Sequence, residues 1–70
     1  MKTYAIHREG AARVELLVQV YDEGEALNEF ADYMERRDVP AFYHRDGTGK
    51  GYILAAGERY FARHTPEIGC

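Results

Sequence analysis

The sequence predicts an α+β fold: a single helix packed on a five-stranded antiparallel sheet, in the order ββαβββ. Three observations predict it. Asp22–Arg37 is the only stretch with helical period: Leu27, Phe30, Ala31 and Met34 fall at i, i+3, i+4 and i+7. Arg13–Tyr21 alternates, with Val14, Leu16, Val18 and Val20 on one face and Glu15, Leu17, Gln19 and Tyr21 on the other. Beyond Pro40 come only short alternating runs punctuated by glycine, with no room for a second helix.

The elements follow in order. Lys2–His7 is a short first strand, with Tyr4 and Ile6 pointing one way and Thr3, Ala5 and His7 the other. Arg8-Glu9-Gly10-Ala11 makes a hairpin turn into the valine-rich strand, where β-branched residues suit a pleated surface. Asp22 stands at the helix N-cap with Glu25 three residues on, a capping-box spacing. Acids fill the early turns, Arg36 and Arg37 close the helix, and both ends suit its dipole. Asp38-Val39-Pro40 stops it, because the residue before a proline disfavours helix. Ala41–Arg45, Lys50–Ala55 and Arg59–His64 are the last three strands, joined at Asp46–Gly49 and Ala56-Gly57. Short loops make sequence neighbours antiparallel. Val14, Leu16, Val18 and Val20, with Tyr4 and Ile6, are expected to face the helix. In the last three strands Phe42, Tyr52, Leu54 and Phe61 compete with Tyr43, Ile53, Ala55 and Tyr60 for that face. Whichever set loses leaves aromatics on the uncovered side with Leu17 and Tyr21, where antiparallel sheets are ordinarily polar.

Seventy residues make one small domain, 1–70, with 64–70 read as a flexible tail. A lone cysteine, Cys70, forms no internal disulfide, so a reducing cytoplasmic setting is expected. No apolar run approaches the ~20 residues of a membrane span, and no membrane partner is expected. Charge is uneven. Residues 1–35 carry −5 and residues 36–70 carry +2, together the net −3 of the chain. Half of the acidic residues lie on the helix stretch, whose outward face carries Glu25, Glu29, Asp32 and Glu35. An acidic chain is a poor match for a phosphate backbone, so no direct nucleic-acid contact is expected. It is a better match for a basic protein surface.

Catalytic and cofactor chemistry is not evident. Gly47-Thr48-Gly49-Lys50-Gly51 misses the phosphate-loop spacing and leads into a strand rather than a helix. Lys50-Gly51-Tyr52 opens like the RNP1 motif of RNA-recognition domains, but Ile53 stands where glycine or alanine belongs. His7, His44, His64 and Cys70 match no zinc-ligand spacing. No nucleophile and base stand at a recognisable spacing, and carboxylates on an exposed helix lack the burial that tunes a catalytic pKa. The expected class is therefore a non-enzymatic binding protein with no cofactor and no metal. Its candidate protein-binding residues are Glu25, Glu29, Asp32 and Glu35 with Tyr21 and Tyr43.

Two resemblances give that class a form. The succession "KTYAIH", "RVELLVQV" and "DEGEALNEFADYMERR" looks like small phage-encoded proteins, among them the anti-CRISPR inhibitors. The resemblance covers architecture and charge along most of the chain and contains no diagnostic motif. It implies an inhibitor, in the host cytoplasm, that binds a CRISPR effector subunit and blocks its nucleic-acid binding. The segment "EGAARVELLVQVYDEGEAL" resembles the HicB antitoxin domain, without that family's third strand or its Pro-Gly-rich segment, and implies a subunit that homodimerises. A third reading is a nucleic-acid-binding module that uses the sheet aromatics with Lys50, Arg59 and Arg63.

Overall fold

A computed structural model describes residues 1–66. Its elements run β1 (Lys2–Arg8), β2 (Val14–Val20), α1 (Glu23–Glu35), β3 (Ala41–Arg45), β4 (Gly51–Ala55) and β5 (Glu58–His64). One helix therefore lies on one five-stranded antiparallel sheet of order β2-β1-β5-β4-β3. The hairpins join sequence neighbours, and β1 pairs with β5 at the centre, from Tyr4↔His64 to Arg8↔Tyr60. Thr65 ties the end of β5 to β1 by donating from both its N–H and its hydroxyl to the carbonyl of Thr3. The expectation of a tail from residue 64 does not hold at His64, the last residue of β5, or at Thr65, which is bonded to Thr3. Residues 67–70, including Cys70, lie outside the described residues. Among the described residues no helix is long and apolar enough to cross a membrane.

The helix starts at its acidic cap. The Asp22 carboxylate accepts the N–H of Glu25 at 2.9 Å. Glu25 reaches back one residue past the cap and accepts the N–H of Tyr21 at 2.7 Å. The C-terminus differs from expectation. Helix α1 ends at Glu35, and the arginines lie in the turn that follows. Val39 N–H bonds the Met34 carbonyl and Asp38 N–H bonds the Glu35 carbonyl, a Schellman closure. Asp38 takes the left-handed position at φ 62°, ordinarily glycine's place. That closure ends the helix before Pro40 is reached.

One core lies between α1 and the sheet. Ala26, Leu27 and Phe30 of the helix cluster with Tyr4, Ile6, Ala41, Ile53, Ala55, Tyr60 and Ala62. The Phe30 ring meets that of Tyr60 at 4.8 Å. Alanines at 26, 41, 55 and 62 leave the volume that Phe30 fills. The ambiguous strands thereby resolve: Ile53, Ala55 and Tyr60 face the helix, and Phe42, Tyr52, Leu54 and Phe61 face away. Tyr43 shares the helix side but leans over β4, where a Cβ at Gly51 would collide with its phenol.

One helix-facing expectation is corrected. Leu16, Val18 and Val20 pack against the core, but Val14 is exposed. A bulge lies between Ile6↔Leu16 and His7↔Val14. The extra residue, Glu15, breaks the alternation and sets Val14 opposite His7, on the side away from the helix.

Two stability predictions follow from these contacts. Phe30→Ala should cost about 3–5 kcal/mol, a large share of what so small a domain possesses, and abolish a cooperative urea transition. The β4–β5 turn places Ala56 at φ 53° and Gly57 at φ 76°, the type I′ pattern that favours Asn-Gly. Ala56→Asn should therefore stabilise by about 1 kcal/mol and raise the melting temperature by several degrees. An unchanged melt would mean that the alanine is not held in the left-handed region.

Candidate binding surfaces

The fold presents two faces of opposite chemistry. The outer side of α1 exposes Glu25, Glu29, Asp32 and Glu35, where the sequence places them. They are not equivalent. Glu25 is engaged in the cap, whereas Glu29, Asp32 and Glu35 have no ion-pair partner among the described residues. Glu23 turns the other way and pairs with Lys50 at 3.6 Å. The two tyrosines do not join this face as one site. Tyr21 follows β2 and Tyr43 lies in β3, and these are the opposite edge strands of the sheet. Tyr21 is 67% exposed beside the helix cap, and Tyr43 lies on the helix side of the sheet with Arg45 5.9 Å from its ring.

The other face is the uncovered side of the sheet. Alternation and register give it Thr3, Ala5 and His7 of β1, Val14, Leu17 and Gln19 of β2, and Phe42 and His44 of β3. They add Tyr52 and Leu54 of β4 and Arg59, Phe61 and Arg63 of β5. Three rings form a ladder across the strands. His44 stacks on Tyr52 at 5.7 Å, and Tyr52 meets Phe61 at 5.6 Å. The Arg59 guanidinium lies 5.1 Å from the centre of the Tyr52 ring. Phe42, 58% exposed, and Leu17, 48% exposed, mark the two margins. None of these face positions is a carboxylate. The acids that border it are Glu15, in the β2 bulge, and Glu9, just past β1, which reaches Arg59 at 3.8 Å.

Sequence reasoning named Lys50, Arg59 and Arg63 together, and the structure sets Lys50 apart from Arg59 while keeping it on the same cavity as Arg63. Arg59 and Arg63 stand on the open face, while Lys50 reaches Glu23 at the start of α1. What the sequence missed is the neighbourhood of His7 and Phe61, paired in register by the β1–β5 ladder although far apart in the chain. Among the described residues no group of three potential metal ligands forms.

The glycine-rich run that invited a phosphate-loop reading is a hairpin loop organised by Asp46. Its carboxylate accepts the Thr48 hydroxyl at 2.6 Å, the Thr48 N–H at 2.8 Å and the Lys50 N–H at 3.0 Å. The Thr48 hydroxyl, then these amides and the Arg59 charge, hold the Asp46 carboxyl below the ordinary carboxylate range. The sign follows from linkage. The loop's contribution is present above the unfolded-state value and is lost as pH falls through the lower, folded one. An NMR titration should find Asp46 titrating below its ordinary value, and Thr48→Val should move it back up. A midpoint unmoved by Thr48→Val would contradict the hydroxyl's role.

No family model matches the chain, and no curated protein and no solved structure matches it either.

Proposed function

We propose that this chain is a non-enzymatic binding domain whose working surface is the open sheet face, and that the face takes single-stranded nucleic acid. The supporting observation is the His44–Tyr52–Phe61 ladder beside Arg59 and Arg63. Unpaired bases offer flat π-faces that stack on such rings, and cations track the backbone between them. The net charge of −3 is the wrong measure for this face. The carboxylates of Glu29, Asp32 and Glu35 lie a full layer away on α1, and at physiological salt their field is screened over about 8 Å. Two copies docked through this face would bring Arg59 and Arg63 of each into one interface with few carboxylates to offset them, which argues against the homodimer.

A second reading rests on a different observation, the three carboxylates of Glu29, Asp32 and Glu35 that the fold does not pair. Like charges along a helix cost a few tenths of a kcal/mol, and a basic protein surface would offset that cost. In this reading the chain is an anti-CRISPR-type inhibitor that masks the nucleic-acid-binding surface of an effector.

Fluorescence anisotropy with labelled single strands of about a dozen nucleotides separates the two. Micromolar binding at moderate salt is expected, with a log–log salt slope of about −1 to −2 from two arginines. Tyr52→Ala and Phe61→Ala should each weaken it about tenfold. Folded variants that bind as wild type, or no binding near millimolar protein, would refute the sheet-face reading. Reversing Glu29 and Asp32 to lysine should leave strand binding intact. It should abolish inhibition of a purified CRISPR effector if the second reading holds, and a wild-type chain inert in that cleavage assay ends that reading.

A further inference from the structure

Strand β5 outruns its partner. Its register with β4 covers only Ile53↔Tyr60 to Ala55↔Glu58, whereas β1 holds β5 as far as His64. Thr65 then anchors that end to Thr3. On the other side Lys50 is fixed by its own loop. Its N–H bonds the Asp46 carboxylate, and its carbonyl accepts the Asp46 N–H. Between two pinned walls the sheet forks. The fork holds a cavity of about 390 Å³ bordered by Lys50, Arg63, His7, His64, Phe61 and Glu23.

The composition of that cavity selects a ligand. Two cations and two imidazoles stand against one carboxylate, and that carboxylate is the ion-pair partner of Lys50. Phe61 is both a wall of the cavity and the last ring of the aromatic ladder. The volume suits one nucleotide unit and is small for a longer segment. We infer that the fork binds a phosphate monoester carried by a nucleotide whose base stacks on Phe61, with Lys50 and Arg63 as the phosphate ligands. This inference rests on the sheet-face reading and deepens it: the domain would recognise a phosphorylated strand end. Glu23 acts as an internal competitor for Lys50, which an incoming phosphate must displace.

The test compares otherwise identical single strands ending in 5′-phosphate, 3′-phosphate or hydroxyl groups, alongside thymidine monophosphate and inorganic phosphate alone. One phosphorylated end should bind about tenfold more tightly than the hydroxyl strand. Lys50→Gln and Arg63→Gln should each erase that preference. Glu23→Gln, which frees Lys50, should raise affinity for the phosphorylated strand several-fold, and thermal melts should show all three variants folded. Thymidine monophosphate should shift the NMR signals of Lys50 and Arg63 at concentrations where inorganic phosphate does not. Equal binding of all strand ends overturns the fork site and leaves the sheet-face reading standing. Thymidine monophosphate bound at Lys50 and Arg63 with no oligonucleotide binding supports the fork and overturns the sheet-face reading. A Glu23→Gln variant that binds the phosphorylated strand no better than wild type overturns the role given to the ion pair.

Discussion

A single helix covers a single face of a sheet, and in this chain five strands must share the helix's apolar side. Every large fully buried side chain, Phe30, Ile6, Leu27 and Ile53, is committed to that one layer. Phe30 is the keystone: its ring meets Tyr60 of the central strand β5, while alanines on helix and sheet make the space around it. The consequence falls on the opposite face. It has no second layer, so its aromatics stay half in water and must find partners among themselves or elsewhere. The ladder of His44, Tyr52 and Phe61 satisfies part of that need, and Phe42 and Leu17 show how much is left.

The same layering sorts charge. Carboxylates concentrate on α1, where they serve the cap and dipole at its start and project outward further along. Cations concentrate on the open face of β5 and in the turn after the helix, where Arg37 donates to the Tyr33 hydroxyl and lies over its ring. A net charge averaged over the chain hides this separation. The exposed ion pairs, Arg8–Glu58, Lys50–Glu23 and Arg59–Glu9, contribute little to stability at such exposure. Their interest lies in position, since Lys50–Glu23 borders the fork and Arg59–Glu9 the rim of the ladder.

Much of the fold was legible because period is a strong signal. The helix, its cap at Asp22 and the order of elements along the chain could be read from spacing alone. Boundaries were less legible, because Asp38 closes the helix in a left-handed turn that aspartate does not announce as glycine would. The bulge at Glu15 was invisible, since Val14 continues the valine alternation in sequence while the backbone breaks it. Facing in the last strands was ambiguous because both sides carry aromatics. The alanines at 41, 55 and 62 were the unused clue, since small residues mark where a helix approaches closely. The acidic residues were found, but their division into capping Glu25 and unpaired Glu29, Asp32 and Glu35 needed the backbone. The open face and the fork depend on the β1–β5 pairing, a contact between distant segments that no local pattern encodes.

The central claim is that the sheet's uncovered face, not the helix, meets the partner. Amide chemical-shift mapping during titration with an unstructured single-stranded oligonucleotide tests it most directly. The account predicts shifts concentrated at His7, His44, Tyr52, Phe61 and Arg63, with the signals of Glu29, Asp32 and Glu35 unmoved. Shifts confined to the helix, or none at saturating oligonucleotide, would contradict it.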